Sequence, residues 1–179
     1  MEPETEVSFR QSGAECNRKT LALIVKKSNS TLNKRRFEMD QLTADMALEL
    51  IAQARRKAEI LELAMSVAVV DAGGHPLAML RMDGASILSA GTVFAKARTA
   101  VYCRRPTHIS VERAKIHPEV YASLAAEMQP GMVYSMGGFP LESQGRLLGG
   151  LAASGGSGEQ DMDVAGAALE RFQNLCSAT

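Results

Sequence analysis

The residues best suited to chemistry in this 179-residue chain lie in its last third and in one helical run before it. Leu147-Leu148-Gly149-Gly150-Leu151-Ala152-Ala153 leads into Ser154-Gly155-Gly156-Ser157-Gly158-Glu159-Gln160-Asp161. That order predicts a strand, a glycine-rich turn and a helix ending near Cys176. Such a turn presents backbone N–H groups at a helix N-terminus, where an anion can be held. Gly155, Gly156 and Gly158 permit close backbone approach, and Ser154 and Ser157 add hydroxyl donors. The alternative is a purely structural role in strand-to-helix packing. The loop is not a Walker A loop, because no Gly-Lys-Ser/Thr ending follows, and no dinucleotide fingerprint is complete.

Lys96 is the strongest basic candidate, in the run Val93-Phe94-Ala95-Lys96-Ala97-Arg98-Thr99-Ala100. Small residues there let a helix press closely on a sheet. A lysine so enclosed can fix a substrate carboxylate or have its pKa lowered for proton transfer. A lysine snorkelling from a packed helix is the alternative. Thr99, three residues on, joins it as a ligand-binding candidate, whereas Arg98 points elsewhere. His75, Arg81 and Asp83 form a hairpin group: Arg81 to meet an anion, Asp83 or His75 to relay a proton. Asp83 and Asp71 can equally serve their own turns by accepting backbone N–H bonds.

Any one of His75, His108 and His117 could be an axial haem ligand, and His108 follows Arg104-Arg105-Pro106-Thr107, whose two arginines could pair with haem propionates. A solvated basic corner is the alternative. The spacing of His75, His108 and His117 reproduces no zinc motif, so no metal-ion site is assigned. Cys103 lies beside Arg104 but has no sequence-defined His/acid partner. Ser154 and Ser157 form no Gly-X-Ser-X-Gly elbow. Proton transfer on a small carboxylate or ring compound is therefore a better enzymatic reading than nucleophilic hydrolysis.

The elements that must position these residues follow from periodicity and punctuation. Leu42, Met46, Leu50, Ala54 and Ala58 share a helical stripe, with Asp40 as the expected N-cap and an end near 61–63. Residues 65–70 read as a strand, 71–75 as a tight turn and 76–82 as the returning strand of an antiparallel hairpin. A helix is predicted over 86–103, stopped by Pro106. Residues 108–130 are mixed, with a short helix over 119–128. Residues 131–153 read as two or three short strands broken at Gly137-Gly138 and Gln144-Gly145, and a closing helix covers 159–175. Short hairpin-joined strands favour an α+β antiparallel sandwich over a doubly wound parallel sheet.

Bulk properties bound the function. The length suits one globular domain. Lys plus Arg equals Asp plus Glu at 20 each, so no global field draws the chain to nucleic acid or an anionic membrane. No tryptophan and only five Phe and three Tyr leave few platforms for stacking bases. Three scattered cysteines form no disulfide framework, and neither a signal peptide nor a membrane-spanning segment is legible, so a cytoplasmic location is expected. Residues 1–39 hold eight basic and five acidic side chains and are rich in polar residues. Residues 1–38 are accordingly expected to be a flexible or extra arm, and 39–179 the folded domain.

Val67-Ala68-Val69-Val70-Asp71-Ala72-Gly73-Gly74-His75, Arg81-Met82-Asp83-Gly84, Lys96-Ala97-Arg98-Thr99-Ala100, and Ser154-Gly155-Gly156 with Gln160-Asp161 occur in this order. Together they resemble the signatures of the GlcG/HbpS-like family, over roughly 42–175. The resemblance implies a profilin-like antiparallel sheet flanked by helices, haem or small-ligand binding in some members, and assembly into homo-oligomers. The preferred expectation is a protein binding haem or another small anionic molecule near the last glycine loop or a subunit interface. The alternatives are an isomerase or lyase using Lys96 with Asp83 or His75, and a non-catalytic oligomeric structural or partner-binding protein.

Overall fold

In the computed structural model, which describes residues 41–128 and 131–177, the first helix is α1 (Ala44–Ile60). Its N-cap is Thr43, whose Oγ1 accepts the Met46 N–H at 3.2 Å; this replaces the expected cap at Asp40. Ala47, Leu50, Ile51, Ala54 and Ala58 form its buried stripe. The hairpin follows as β1 (Ser66–Asp71) and β2 (Pro76–Arg81), with Pro76 opening an edge strand where a missing N–H costs little.

Helix α2 (Ile87–Cys103) starts at Ser86, whose Oγ accepts the Ser89 N–H at 3.2 Å, and ends where Arg104 turns left-handed at φ 48°. The segment expected to be mixed, with one short helix over 119–128, contains two helices: α3 (Thr107–Ile116), which the sequence reading does not place, and α4 (Pro118–Glu127), which it does. Pro118 explains the division: proline breaks α3's hydrogen-bond ladder and is favoured at the first position of the next helix. Strands β3 (Gly138–Ser143) and β4 (Arg146–Ser154) then pair around a turn at Gln144 and Gly145, both with positive φ. Helix α5 (Gly158–Ser177) closes the fold. The expected arm over 1–38 lies outside the described residues.

The four strands form an antiparallel sheet in the order β2-β1-β4-β3. Strand β1 is central and covered on both faces, which is why Val67-Ala68-Val69-Val70 is uninterruptedly apolar. Alternation divides its side chains between the faces. Val67 and Val69 join Leu151, Ala153 and the helices α1 and α5 in the larger core. Ala68 and Val70 join Ala152 and Val93, Ala97 and Val101 of α2 in the smaller one. The result is an α+β fold with helices on both faces. No helix among the described residues is long and apolar enough to cross a membrane.

Candidate functional site

Helix α2 approaches the sheet over positions without side chains. A Cβ built on Gly150 would lie 2.7 Å from Val101 Cγ2 and 2.8 Å from the Ala97 carbonyl oxygen. One on Gly138 would lie 2.9 Å from the Lys96 carbonyl oxygen. This close contact sets the base of Lys96 against the sheet, and its side chain then runs toward the end of β4. Lys96 is 3% exposed and donates to the Ala153 carbonyl oxygen at 3.3 Å. It also donates to Oδ2 of Asp161, the fourth residue of α5 and likewise 3% exposed. The expectation of a snorkelling lysine is therefore replaced by a buried ion pair.

The glycine turn is closed on the protein's own groups. Asp161 Oδ1 accepts the Gly156 N–H at 2.9 Å. Ser157 and Gln160 form a capping box: the Ser157 N–H donates to Gln160 Oε1 at 2.8 Å, and the Gln160 N–H to Ser157 Oγ at 3.3 Å. Gly155 has φ 138°, which only glycine adopts without strain, and its Cα faces the Ala64 carbonyl oxygen and Met65. Burial pushes the Asp161 carboxyl above the ordinary aspartate range, against the opposing pull of Lys96 and of the Gly156 and Gly155 N–H groups. The anion cradled by this turn is the Asp161 carboxylate.

Above the pair lies a pocket of about 310 Å³, at the lower end of the range for ligand sites. Its floor is Lys96, Asp161 and the backbone of Gly155 and Gly156. Five hydroxyl-bearing residues line it: Ser86, Ser89 and Thr92 from the first turns of α2 and its cap, together with Ser135 and Ser154. Thr92 Oγ1 and Ser154 Oγ are hydrogen-bonded at 3.0 Å, and Ser89 Oγ meets Ser66 Oγ at 2.8 Å. Leu88 and Val133 supply apolar surface.

Of the residues singled out from sequence, the structure brings Lys96, Ser154, Gly155 and Gly156 together around this pocket. Ser157 and Gly158 follow in the cap and first position of α5, outside its lining. Thr99 is fully buried behind the wall, where its Oγ1 takes the Val133 N–H at 3.0 Å and its single O–H is shared between the Ala95 and Val133 carbonyls. Its role here is to tie the Val133 segment to α2.

The hairpin group is not assembled with Lys96. Register pairs Ser66 with Ser154 and Asp71 with Gly149, so the turn bearing His75 is five strand steps, or about 17 Å, from the pocket end. His75 is exposed and contacts Asp71 Oδ2 through Nδ1 at 3.2 Å, and Asp71 Oδ1 accepts the Gly73 and His75 N–H groups. Burial is the largest single influence on the Asp71 carboxyl and pushes it up, but the bonds from His75 and Gly73 and the His75 charge together outweigh it and hold the group below its ordinary value. Arg81 and Asp83 are exposed at the other end of the hairpin, outside the pocket lining, and Arg81 Nε is spent on the Ala85 carbonyl oxygen at 2.9 Å.

The third group is at the C-terminal end of α2. Arg104 is exposed, with Glu142 at 3.8 Å, and Arg105 Nε donates to the Cys103 carbonyl oxygen at 2.9 Å. His108, the second residue of α3, is half-buried, and its Nδ1 is buried without a hydrogen-bond partner. Nearby, Tyr121 and Tyr134 pack edge to face with ring centres 4.8 Å apart. Burial raises the Tyr134 phenol, with Cys103 and Tyr121 adding to it.

Asp161 and the wall residues Ser86, Ser89, Thr92 and Ser135 were not among the sequence candidates. The pattern Ser157-Gly158-Glu159-Gln160 is a capping-box signature, and an acid one residue beyond it signals that the turn's donors are met from within. No such local signal marks the hydroxyls, which converge only through the sheet.

Residues 42–170 match the family described as "Haem degrading protein HbpS-like". The chain is 37% identical over 121 residues to the corrinoid adenosyltransferase PduO of Citrobacter freundii, covering 68% of this chain but only 36% of that enzyme. The chain thus spans about a third of that relative's length. It is 31% identical over 134 residues to a 15.0 kDa protein from the dhaT-dhaS intergenic region of the same organism, covering 75% of this chain and 94% of the relative. Among solved structures, a complex of PduOC with haem superposes with a TM-score of 0.67 at 34% identity, covering 73% of this chain and 94% of the other.

Proposed function

This chain belongs to the HbpS-like family, and from that premise we propose that it is a small-ligand-binding protein whose ligand occupies the pocket floored by Lys96 and Asp161. The observation that carries this reading is a lysine that is 3% exposed and yet forms part of a pocket surface. A buried ion pair is weak evidence for stability, because well-packed apolar residues generally serve as well. A carboxyl perturbed by burial and set in a cleft, as Asp161 is, is instead a mark of functional sites. The test is an amide NMR screen of the full chain against small polar fragments. Saturable shifts at Ser135, Gly155 and Gly156 are expected; a screen whose shifts all fall elsewhere would overturn the reading.

A second reading, haem binding, draws on the relative crystallised with haem and on one feature of this chain. The orphaned Nδ1 of His108 suits an iron ligand, and Arg104 and Arg105 on the same corner suit propionates. Bound haem would supply a redox-active iron; His108 would hold the metal and the two arginines would orient the group. Haemin titration should give stoichiometric uptake and a Soret band that moves in His108→Ala. Lack of stoichiometric uptake defeats this reading and leaves the pocket proposal intact.

A further inference from the structure

Resting on that reading of the pocket, we propose that its ligand is a neutral hydroxylated carbonyl compound, held by Lys96 at the carbonyl oxygen and by the wall hydroxyls at its own hydroxyl groups. The charges of the floor are already balanced. The Asp161 carboxylate is met by Lys96 and by the Gly156 N–H, and it cancels the lysine's charge. An entering carboxylate would bring a second negative charge beside the buried Asp161, with no new cation in the lining to meet it. A neutral oxygen acceptor meets no such penalty.

The donors and acceptors fit the same class. An ammonium group carries three N–H donors and no acceptor. Asp161 and the Ala153 carbonyl oxygen account for two, which leaves one for an oxygen in the pocket that Lys96 lines. A carbonyl oxygen, which only accepts, is its complement. Around it the groups both give and accept. Ser86 Oγ accepts the Ser89 N–H and keeps its own O–H to donate, whereas Thr92 spends its one O–H on the Leu88 and Ser89 carbonyls and takes the Ser154 O–H, which leaves Ser154 Oγ able to accept; Ser135 adds a further hydroxyl to the lining. Hydroxyls of this kind match ligand hydroxyls, which also do both.

The experiment uses three four-carbon probes of matched size: erythrulose, a hydroxyketone; erythritol, a polyol; and erythronate, a carboxylate. Each is titrated into the ¹⁵N-labelled full chain. Erythrulose should shift the Ser135, Gly155 and Gly156 amides saturably, erythritol more weakly, and erythronate should bind about ten-fold more weakly than erythrulose. Because Lys96→Met alone strands the Asp161 charge, the double variant Lys96→Met/Asp161→Asn tests the contact. It should keep a native spectrum and lose about ten-fold in erythrulose affinity. Ser135→Ala, which leaves the buried pair untouched, should weaken erythrulose by a few-fold. Erythronate binding as tightly as erythrulose would overturn the neutral class while sparing the pocket. So would silence from all three probes alongside fragment-screen hits at the same amides. Undiminished erythrulose binding by the double variant would overturn the role given to Lys96.

Discussion

Lys96 on α2 and Asp161 on α5, 65 residues apart in the chain, form a buried ion pair beneath the turn of Gly155 and Gly156. The pair joins helices on opposite faces of the sheet across the end of β4. It also supplies the turn with its anion, so the backbone donors there hold a carboxylate that the chain itself provides.

Removing one partner should cost far more than removing both. Lys96→Met leaves a buried carboxylate with only backbone donors, and a loss of about 3–5 kcal/mol in unfolding free energy is expected. Lys96→Met/Asp161→Asn should recover most of it. Urea unfolding of the two variants checks this; equal losses would show that the pair is not energetically coupled.

Two aspartates should give pH dependences of opposite sign. Burial raises the Asp161 carboxyl above its ordinary 3.8, so the native state keeps a proton that the unfolded chain has released. Its contribution is complete below about pH 3.8 and is lost as pH rises through the folded value. Asp71, held below 3.8, contributes above that value and loses its contribution as pH falls through the folded one. Unfolding free energies measured on both sides of pH 3.8 should show the first slope vanish in Asp161→Asn and the second in Asp71→Asn.

Gly137→Ala should damage the site directly. Gly137 has φ 100°, and an added Cβ would lie 2.5 Å from Asp161 Cβ and 2.9 Å from the Ala153 carbonyl oxygen. Strain and overpacking each cost about 1–3 kcal/mol. The expected readout is a lower melting temperature together with shifted amides at Gly155 and Gly156; a fully native spectrum would contradict this packing.

Thr99→Val should loosen the pocket wall without touching the pocket. The change removes the acceptor of the Val133 N–H and the hydroxyl that returns a bond to the Val133 carbonyl. A cost of about 1–3 kcal/mol is expected from the stranded backbone groups. Hydrogen exchange at Val133 should quicken well before exchange in β1 does; unchanged protection would remove Thr99 from this role.

Much of this protein is written locally. The stripe from Ala47 to Ala58, the continuous apolar run of β1, the turn after Asp71 and the strand–turn–helix order after Leu147 each depend on neighbours a few residues away, so periodicity and turn chemistry expose them. Where the local signal is weak the element is not legible: α3 has almost no amphipathic pattern, burying only Thr107 and Ser110, so periodicity does not mark it as a helix. The cap at Thr43 rather than Asp40 is a boundary decided within one turn by which side chain reaches the Met46 N–H.

The sequence by itself determined that a lysine among small residues and a glycine-rich turn before a helix would exist, along with the α+β order of elements that carries them. Only the tertiary structure decided what they do to one another. Pairing β1 with both β2 and β4 moves His75 to one end of the sheet and Ser154 to the other, and the close seating of α2 on Gly138 and Gly150 carries Lys96 to Asp161. Charge neutralisation in a dry interior depends on distances between residues far apart in the chain, and no spacing along the sequence encodes those distances.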